Sequence, residues 1–171
     1  EEMAKAFHHS VAQLLFLSHR ARRDLSPAVP FLTSRVREPD TDDWAKLKRT
    51  PQYLKGTFSM PLRIKVESTE IAKWDIDASH SVHDDCKGHT GGGMTLGEGA
   101  AMSMSRKQKV NTRSSTESEL AGVYDCLPEV LWSLYFMQEQ GYGTKRARIH
   151  QDNNSAILLE VNGRASSSKR T

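Results

Sequence analysis

The sequence predicts a mixed α/β protein in which helices come first, strands follow, and a helix, a strand and a helix close the chain. Three observations favour this class. Apolar residues recur at helical spacing over residues 4–53 and again over residues 115–140. Between these stretches, apolar and polar residues alternate as they do in strands. The 171 residues are 37% hydrophobic and 26% charged, which suits one globular domain with a partial neighbour.

Three helices are predicted before residue 57. The first begins near residue 4, and its apolar residues fall on one face of the helix. The second spans residues 26–36 and opens with Ser-Pro, a typical N-cap followed by proline at the first helical position. The third opens at residues 40–43, whose acidic side chains favour a helix N-terminus. Because a proline inside a helix costs about 3 kcal/mol, Pro51 is expected to end this helix near Thr50 or to disrupt it there.

Strands and two further helices are predicted after residue 57. The strands are expected at residues 58–66, 71–78, 90–96, 100–106 and 147–150. A turn at residues 97–99 joins the third strand to the fourth. The helix over residues 115–140 is expected to split or kink at Pro128, and a short helix over residues 155–161 follows the last strand.

Composition excludes several classes of protein. No segment reaches the roughly 18 apolar residues that a membrane-spanning helix needs, and the mean hydropathy is −0.60. The apolar run at residues 14–17 is too short for a secretory signal. Two cysteines, Cys86 and Cys126, cannot form a disulfide scaffold and are expected to be free thiols in a reducing compartment.

The formal net charge is +3, and basic residues are concentrated in places. Residues 106–113 contain four basic side chains and no acidic one. Such a block beside acidic clusters suits a protein that holds phosphates and binds a cation. A solvated charged surface explains the same block equally well.

Three acidic residues stand at positions from which they could converge. Asp77 ends a predicted strand, Glu119 lies in the first turns of a predicted helix, and Asp152 lies between a strand and a helix. Converging carboxylates repel one another unless a cation neutralises them, and Mg²⁺ prefers oxygen ligands. Such a cluster would form the protein part of a two-metal phosphodiesterase site. The alternative is three unrelated surface acids in a chain that has 21.

Two other patterns allow weaker interpretations. His80, His83, Cys86 and His89 follow one another at intervals of three, which resembles a run of zinc ligands. Structural zinc sites more often pair a Cys-x-x-Cys knuckle with separate histidines, so a polar loop is the alternative. The glycines at residues 91–93 lack a phosphate-loop signature and are expected to admit a nucleic-acid backbone or to bend the strand.

Several motifs together resemble the ribonuclease H domain of copia-type LTR-retrotransposon polyproteins. They are WDIDASHSVHDDCKGHTGGGMT at residues 74–95, SRKQKVNTRSSTESEL at 105–120 and HQDNNSAILLEVNGRASSSKRT at 150–171. Residues 7–40 and 47–57 are similar to the region that joins reverse transcriptase to this domain. The resemblance therefore implies a helical connection region at residues 1–57 and an RNase H-like domain at residues 58–171.

The resemblance implies an RNase H-like mixed sheet with flanking helices. It also implies that the domain is truncated at its C-terminus, because the family continues past Thr171 into another strand and a fourth acidic ligand. The implied activity is cleavage of the RNA strand of RNA–DNA hybrids with two Mg²⁺ or Mn²⁺ ions, which leaves 5′-phosphate and 3′-hydroxyl ends. The implied partners are the hybrid and the reverse transcriptase of the same polyprotein, without a membrane. The implied location is a cytoplasmic virus-like particle, with later passage into the nucleus.

The family's motifs assign the same three acids that position alone singled out. The DAS motif matches Asp77, the second acid of the STExEL motif matches Glu119, and the DN-x-SA motif matches Asp152. Asp75 and Glu117 are their nearest competitors. The resemblance also assigns nucleic-acid contacts to Lys107, Lys109, Arg113, Asn153 and Ser155.

The chain departs from the family's pattern at several positions. Arg23 stands where the family has proline before the acid of its upstream motif, and Pro51 and Gln52 alter the box that ends in YLKGT. These departures resemble the decay of a mobile-element copy. The alternative function is therefore a catalytically inactive RNase H-like remnant that at most binds nucleic acid.

Overall fold

Helices build the first of the two units into which the chain divides, between Arg63 and Ile64. The computed structural model describes residues 2–163. The helices of this unit are α1 (Glu2–Arg20), a 3-10 turn (Arg23–Leu25), α2 (Val29–Ser34) and α3 (Thr41–Gly56). Their buried core consists of Phe7, Val11, Leu14, Leu25, Val29, Leu32 and Leu47. The first unit therefore has an apolar core of its own, while the assignment of residues 1–57 as a connection region stays a prediction.

The start of α3 follows the sequence prediction. Asp40 is the N-cap, and its carboxylate accepts a hydrogen bond from the Asp43 N–H at 2.8 Å. The Asp43 carboxylate accepts in return from the Asp40 N–H at 3.1 Å. This reciprocal pair satisfies two backbone donors that the helix itself leaves free. The Arg35 guanidinium, 2.9 Å from the buried Asp43 carboxylate, compensates its charge.

Two expectations for this unit are wrong. Ser26 does not cap α2, because residues 23–25 form a 3-10 turn that ends at Ser26, and Ala28 precedes the helix instead. Helix α3 does not end near Thr50 but continues through Pro51 to Gly56. Proline removes a single backbone hydrogen bond, and Leu54 beyond it packs against the core, which offsets that loss.

The alternating segment after α3 does not form the predicted strand. Only Lys65–Val66 (β1) is extended and paired, with Gly97–Glu98 (β4). Phe58 is 91% exposed, and Met60 and Leu62 are also exposed. An alternating pattern specifies a strand only when one face is buried, and no strand in the described residues pairs with residues 58–64.

A four-stranded mixed sheet forms the centre of the second unit. Its strands are β2 (Ile71–Ser79), β3 (His89–Thr95), β5 (Met102–Lys107) and β6 (Arg146–His150), in the order β5-β3-β2-β6. Strand β2 pairs antiparallel with β3 and parallel with β6, and β3 pairs antiparallel with β5. The mixed α/β class is thus confirmed. The predicted turn at residues 97–99 is only partly right, because Gly97 and Glu98 pair with β1 and β5 begins at Met102.

Helix α4 (Ser115–Glu139) packs on one face of this sheet, and α5 (Asn154–Asn162) packs against α4. The core of this unit contains Ala72, Trp74, Ile76, Met94, Cys126, Val130 and Met137. The predicted split at Pro128 is wrong, because α4 continues through it. Pro128 and Tyr124, whose carbonyl loses its partner, both lie on the exposed side of the helix, where water can hydrate that carbonyl.

Gly92 allows α4 to lie close to the sheet. A Cβ atom there would lie 3.0 Å from the Cys126 sulfur and 3.1 Å from Cγ of Met104. The close neighbours at this glycine are therefore one side chain of α4 and one of the strand Met102–Lys107. Cys126 is buried and Cys86 exposed, and both are free thiols as predicted; burial raises the pKa of the Cys126 thiol to about 12. No helix in the described residues is both long and apolar enough to cross a membrane.

Gly92→Val is expected to destabilise the protein by about 1–3 kcal/mol, because the added methyl groups overpack this contact. Urea unfolding measures the change. Gly143→Val is the matched control, because nothing lies within 4 Å of a Cβ at that position. Equal stabilities for the two variants would contradict the tight contact between α4 and β3.

Candidate active site

Three carboxylates meet where β2 and β6 end. Asp77 lies near the end of β2, Asp152 follows β6, and Glu119 lies in the second turn of α4. One carboxylate oxygen from each lies within 4.8 Å of the other two. Because β2 and β6 are parallel neighbours, their C-terminal ends lie at the same edge of the sheet. Among the acidic, histidine and cysteine side chains of residues 2–163, these three lie close enough together to share a cation.

Glu117 and Glu119, both near the start of α4, have different roles. Ser114 is the N-cap and accepts a hydrogen bond from the Glu117 N–H at 3.2 Å. The Glu117 carboxylate accepts from the Arg113 N–H at 2.7 Å. Glu117 therefore serves the helix end, whereas Glu119 is buried with 4% exposure and faces the other two acids.

Asp75, the second competitor, is engaged elsewhere. Its carboxylate lies 2.9 Å from Nδ1 of His150, on the neighbouring strand. Asp75 and Asp77 are both exposed and lie on the same face of β2, opposite the buried Trp74 and Ile76. Only Asp77 belongs to the carboxylate cluster.

The surroundings of Glu119 disfavour its negative charge. Burial raises the pKa of its carboxyl, and the neighbouring charges of Asp77 and Asp152 raise it further. The Gln151 side chain and the Ala78 backbone oppose this rise. Its Oε2 atom is buried and accepts no hydrogen bond. An oxygen-binding cation fits here, because it would neutralise the three charges and satisfy the orphaned oxygen.

Gln151 is a site residue that the sequence analysis missed. Its Oε1 atom accepts hydrogen bonds from the N–H groups of Asp152 at 3.0 Å and Asn153 at 3.4 Å. These bonds fix the loop that carries Asp152. The Nε2 atom is buried, and it is the donor through which the Gln151 side chain lowers the pKa of the Glu119 carboxyl. No signal in the sequence marks this role, since glutamine is common on surfaces.

Asn153 caps α5. Its side-chain oxygen accepts hydrogen bonds from the N–H groups of Ser155 at 3.0 Å and Ala156 at 3.1 Å. The Asx capping pattern explains this residue without a ligand. Ser155 is exposed in the first turn of the same helix.

The basic residues of the predicted nucleic-acid surface differ in availability. Lys107 forms an ion pair with Asp85 at 2.8 Å. Lys109 and Arg113 are exposed, and neither forms an ion pair within the described part of the chain. Lys109 and Arg113 are therefore the more available cations.

The predicted run of four zinc ligands does not converge. His80 turns away, and its Nδ1 lies 3.0 Å from the Thr112 hydroxyl and 3.1 Å from the Ser118 hydroxyl. No group of three ligands forms among these four described residues. Only His83 and His89 meet, with 3.1 Å between Nε2 of the first and Nδ1 of the second.

Several known proteins similar to this chain come from transposons. The retrovirus-related Pol polyprotein of transposon TNT 1-94 from Nicotiana tabacum is 30% identical over 162 residues, which is 94% of this chain and 12% of that protein. A transposon Ty5-1 protein of Saccharomyces cerevisiae is 34% identical over 122 residues, 70% of this chain and 40% of that protein. The Pol polyprotein of transposon RE2 from Arabidopsis thaliana is 32% identical over 154 residues, 89% of this chain and 10% of that protein.

The chain thus spans a minor part of each of these relatives. No protein-family model matches the sequence, and no solved structure matches the fold. The similarity still covers 94% of the chain in the tobacco protein, so it includes both structural units. The chain is therefore homologous to one segment of the retrovirus-related Pol polyproteins of transposons.

Proposed function

We propose that residues 58–171 are the ribonuclease H region of a copia-type retrotransposon polyprotein and cleave the RNA strand of RNA–DNA hybrids. The observation that carries this proposal is the convergence of Asp77, Glu119 and Asp152 within 4.8 Å. Homology to Pol polyproteins supports it, because this reaction belongs to the chemistry that such elements need. On this proposal the sheet with α4 and α5 is RNase H-like. Residues 1–57 form the connection to a reverse transcriptase that acts as its partner, within a cytoplasmic particle that later reaches the nucleus.

The three carboxylates would hold two Mg²⁺ or Mn²⁺ ions, which when bound lower the pKa of a water molecule and stabilise the leaving oxygen. Glu119 is buried and held by α4, so its carboxylate stays in a fixed place. Asp77 and Asp152 are exposed, so a phosphodiester could reach ions that they hold. Gln151 keeps the Asp152 backbone in position. Without cations, the three acids would repel a phosphodiester.

A direct test uses an end-labelled RNA–DNA hybrid incubated with the 171-residue chain. We expect internal cleavage of the RNA strand that requires Mg²⁺ or Mn²⁺ and leaves 3′-hydroxyl ends. Single-stranded RNA and duplex DNA of the same sequence are the matched substrates and should stay intact. Hybrid binding without cleavage would favour the inactive remnant, and cleavage that persists with a chelator would contradict the metal site.

Lys109→Ala and Arg113→Ala are each expected to weaken hybrid binding by a similar factor on all sequences. Each loss should lower the slope of log K against log salt concentration by about 1, because one phosphate contact disappears. Fluorescence anisotropy across a salt series measures both effects. Lys145→Ala, at an exposed lysine paired with Glu70, is the control. An unchanged slope in both variants would contradict these contacts.

Glu119→Gln is expected to change the pH dependence of stability. A carboxyl whose pKa is raised by folding binds its proton more tightly in the folded state. Without divalent ions, the free energy of unfolding therefore falls as pH rises above the ordinary value of 4.5. The wild type should lose melting temperature from pH 5 to pH 8 relative to Glu119→Gln. Added Mg²⁺ should raise the wild-type melting temperature more than that of the variant, and parallel curves would contradict this account.

A further inference from the structure

The turn between β2 and β3 brings two imidazoles together. The His83 N–H donates to the Lys87 carbonyl at 3.2 Å, and the Cys86 N–H donates to the His83 carbonyl at 2.8 Å. These bonds close the turn, and His89 begins the next strand. Cys86 has a φ of +58°, a left-handed conformation that costs a non-glycine residue energy. The turn is therefore held in one shape that places His83 beside His89.

We propose that His83 and His89 bind a zinc-class divalent ion through Nε2 and Nδ1, respectively, at a site separate from the carboxylate cluster. The two nitrogens are 3.1 Å apart, and the ring centroids are 5.3 Å apart. Two nitrogens at that separation, each about 2.1 Å from a zinc ion, subtend about 95° at the ion. That angle lies between octahedral and tetrahedral geometry, so small side-chain rotations suffice for both to bind. Water would complete the coordination.

Ser105 supplies the support that a ligating histidine needs. Nε2 of His89 lies 2.7 Å from the Ser105 hydroxyl oxygen on β5. When Nδ1 holds the ion, the N–H at Nε2 donates to this oxygen. Metal-bound histidines almost always donate their second N–H to an oxygen acceptor, most often a carboxylate, a backbone carbonyl or water, which fixes the tautomer and the ring; the Ser105 hydroxyl oxygen can play this part. The neighbouring Asp85 is engaged by Lys107 and Lys87, so it does not compete for the imidazoles.

The chemistry of the donors distinguishes the two sites. Imidazole nitrogen favours Zn²⁺, Co²⁺ and Ni²⁺, whereas carboxylate oxygen favours Mg²⁺ and Mn²⁺. Excess Mg²⁺ should therefore occupy the carboxylates and leave the imidazole pair available. The proposal does not depend on nuclease activity, and either can fail alone.

Calorimetric titration of the full chain with Zn²⁺, in a large excess of Mg²⁺, tests the site. We expect one zinc ion to bind, and His83→Asn and His89→Asn each to weaken its binding at least about tenfold. His83→Cys should retain zinc binding because it restores a ligand atom. Ser105→Ala should weaken binding about tenfold. His80→Asn is the matched control, since His80 faces Thr112 and Ser118, and it should bind zinc as the wild type does.

Two results would overturn the site. One is a wild-type zinc affinity no higher than that of the double variant His83→Asn/His89→Asn. The other is a loss in His80→Asn equal to that in His83→Asn. Circular dichroism of each variant checks that it folds. If His83→Cys binds zinc and His83→Asn does not, the loss of zinc binding in His83→Asn is not caused by misfolding.

Discussion

Asp77→Asn is expected to reduce metal-dependent cleavage of an RNA–DNA hybrid about a thousandfold while the protein stays folded. Ions held at such a site supply several kcal/mol of transition-state stabilisation, and each 1.36 kcal/mol is a factor of ten in rate. Asparagine keeps the size of the side chain and removes its charge. The exposed side chain at this position contributes little to the core. Single-turnover cleavage with end-labelled RNA, at several Mg²⁺ concentrations, measures the loss.

Asp75→Asn is the matched control because it changes the same residue type two positions away on the same strand face. Asp75 pairs with His150 at 2.9 Å and is not in the cluster. We expect its cleavage rate to stay within about threefold of the wild type, because an exposed side-chain contact such as that between Asp75 and His150 contributes only about 1 kcal/mol or less. A larger loss in Asp75→Asn than in Asp77→Asn would reverse the assignment of the first acid.

The convergence of the three acids could be predicted from the sequence because it depends on element order. Asp77 follows alternating residues of a strand, Glu119 follows Ser114 at the start of a helix, and Asp152 lies between a strand and a helix. When parallel strands end together, residues after them meet at one sheet edge. Gln151 could not be predicted in this way, because its role depends on which backbone N–H groups its side chain reaches.

The errors in the fold prediction share a physical cause. The alternation over residues 58–66 predicted a strand, yet burial and a partner strand decide whether such a pattern is used, and Phe58 is 91% exposed. Pro51 predicted an end or disruption of α3, and Pro128 predicted a split or kink of α4. Both helices nevertheless continue through their prolines, because residues beyond each proline pack on the core. Local signals give the preference of a segment, and tertiary contacts determine the outcome.

The histidine run shows the same limit. The regular interval of three residues predicted one set of zinc ligands that consists of His80, His83, Cys86 and His89. The backbone of the turn then directs His80 to Thr112 and Ser118 and directs only His83 to His89. Spacing in a loop fixes no side-chain direction, so a sequence can suggest the ligand types but cannot identify the pair that meets.

Trp74→Ala is expected to destabilise the second unit by about 3–5 kcal/mol, the range for removal of a buried aromatic side chain. Trp74 is 1% exposed at the centre of β2 and packs between the sheet and α4. Its indole N–H donates to the Ser133 hydroxyl at 3.3 Å. Trp74→Phe keeps most of the apolar area and loses that hydrogen bond, so a smaller cost of about 1–2 kcal/mol is expected.

Hydrogen exchange of the β2 and β3 amides measures this change within the second unit, because the free energy of opening is read from the strands themselves. Trp132→Ala is the matched control. Trp132 is 57% exposed on α4 and stacks on Phe136 with ring centroids 5.0 Å apart, so its removal should cost about 1 kcal/mol. Protection factors that fall equally in Trp74→Ala and Trp132→Ala would contradict a core centred on Trp74. If they fall only in Trp74→Ala, the buried indole is what joins β2 to α4, the two elements that carry Asp77 and Glu119.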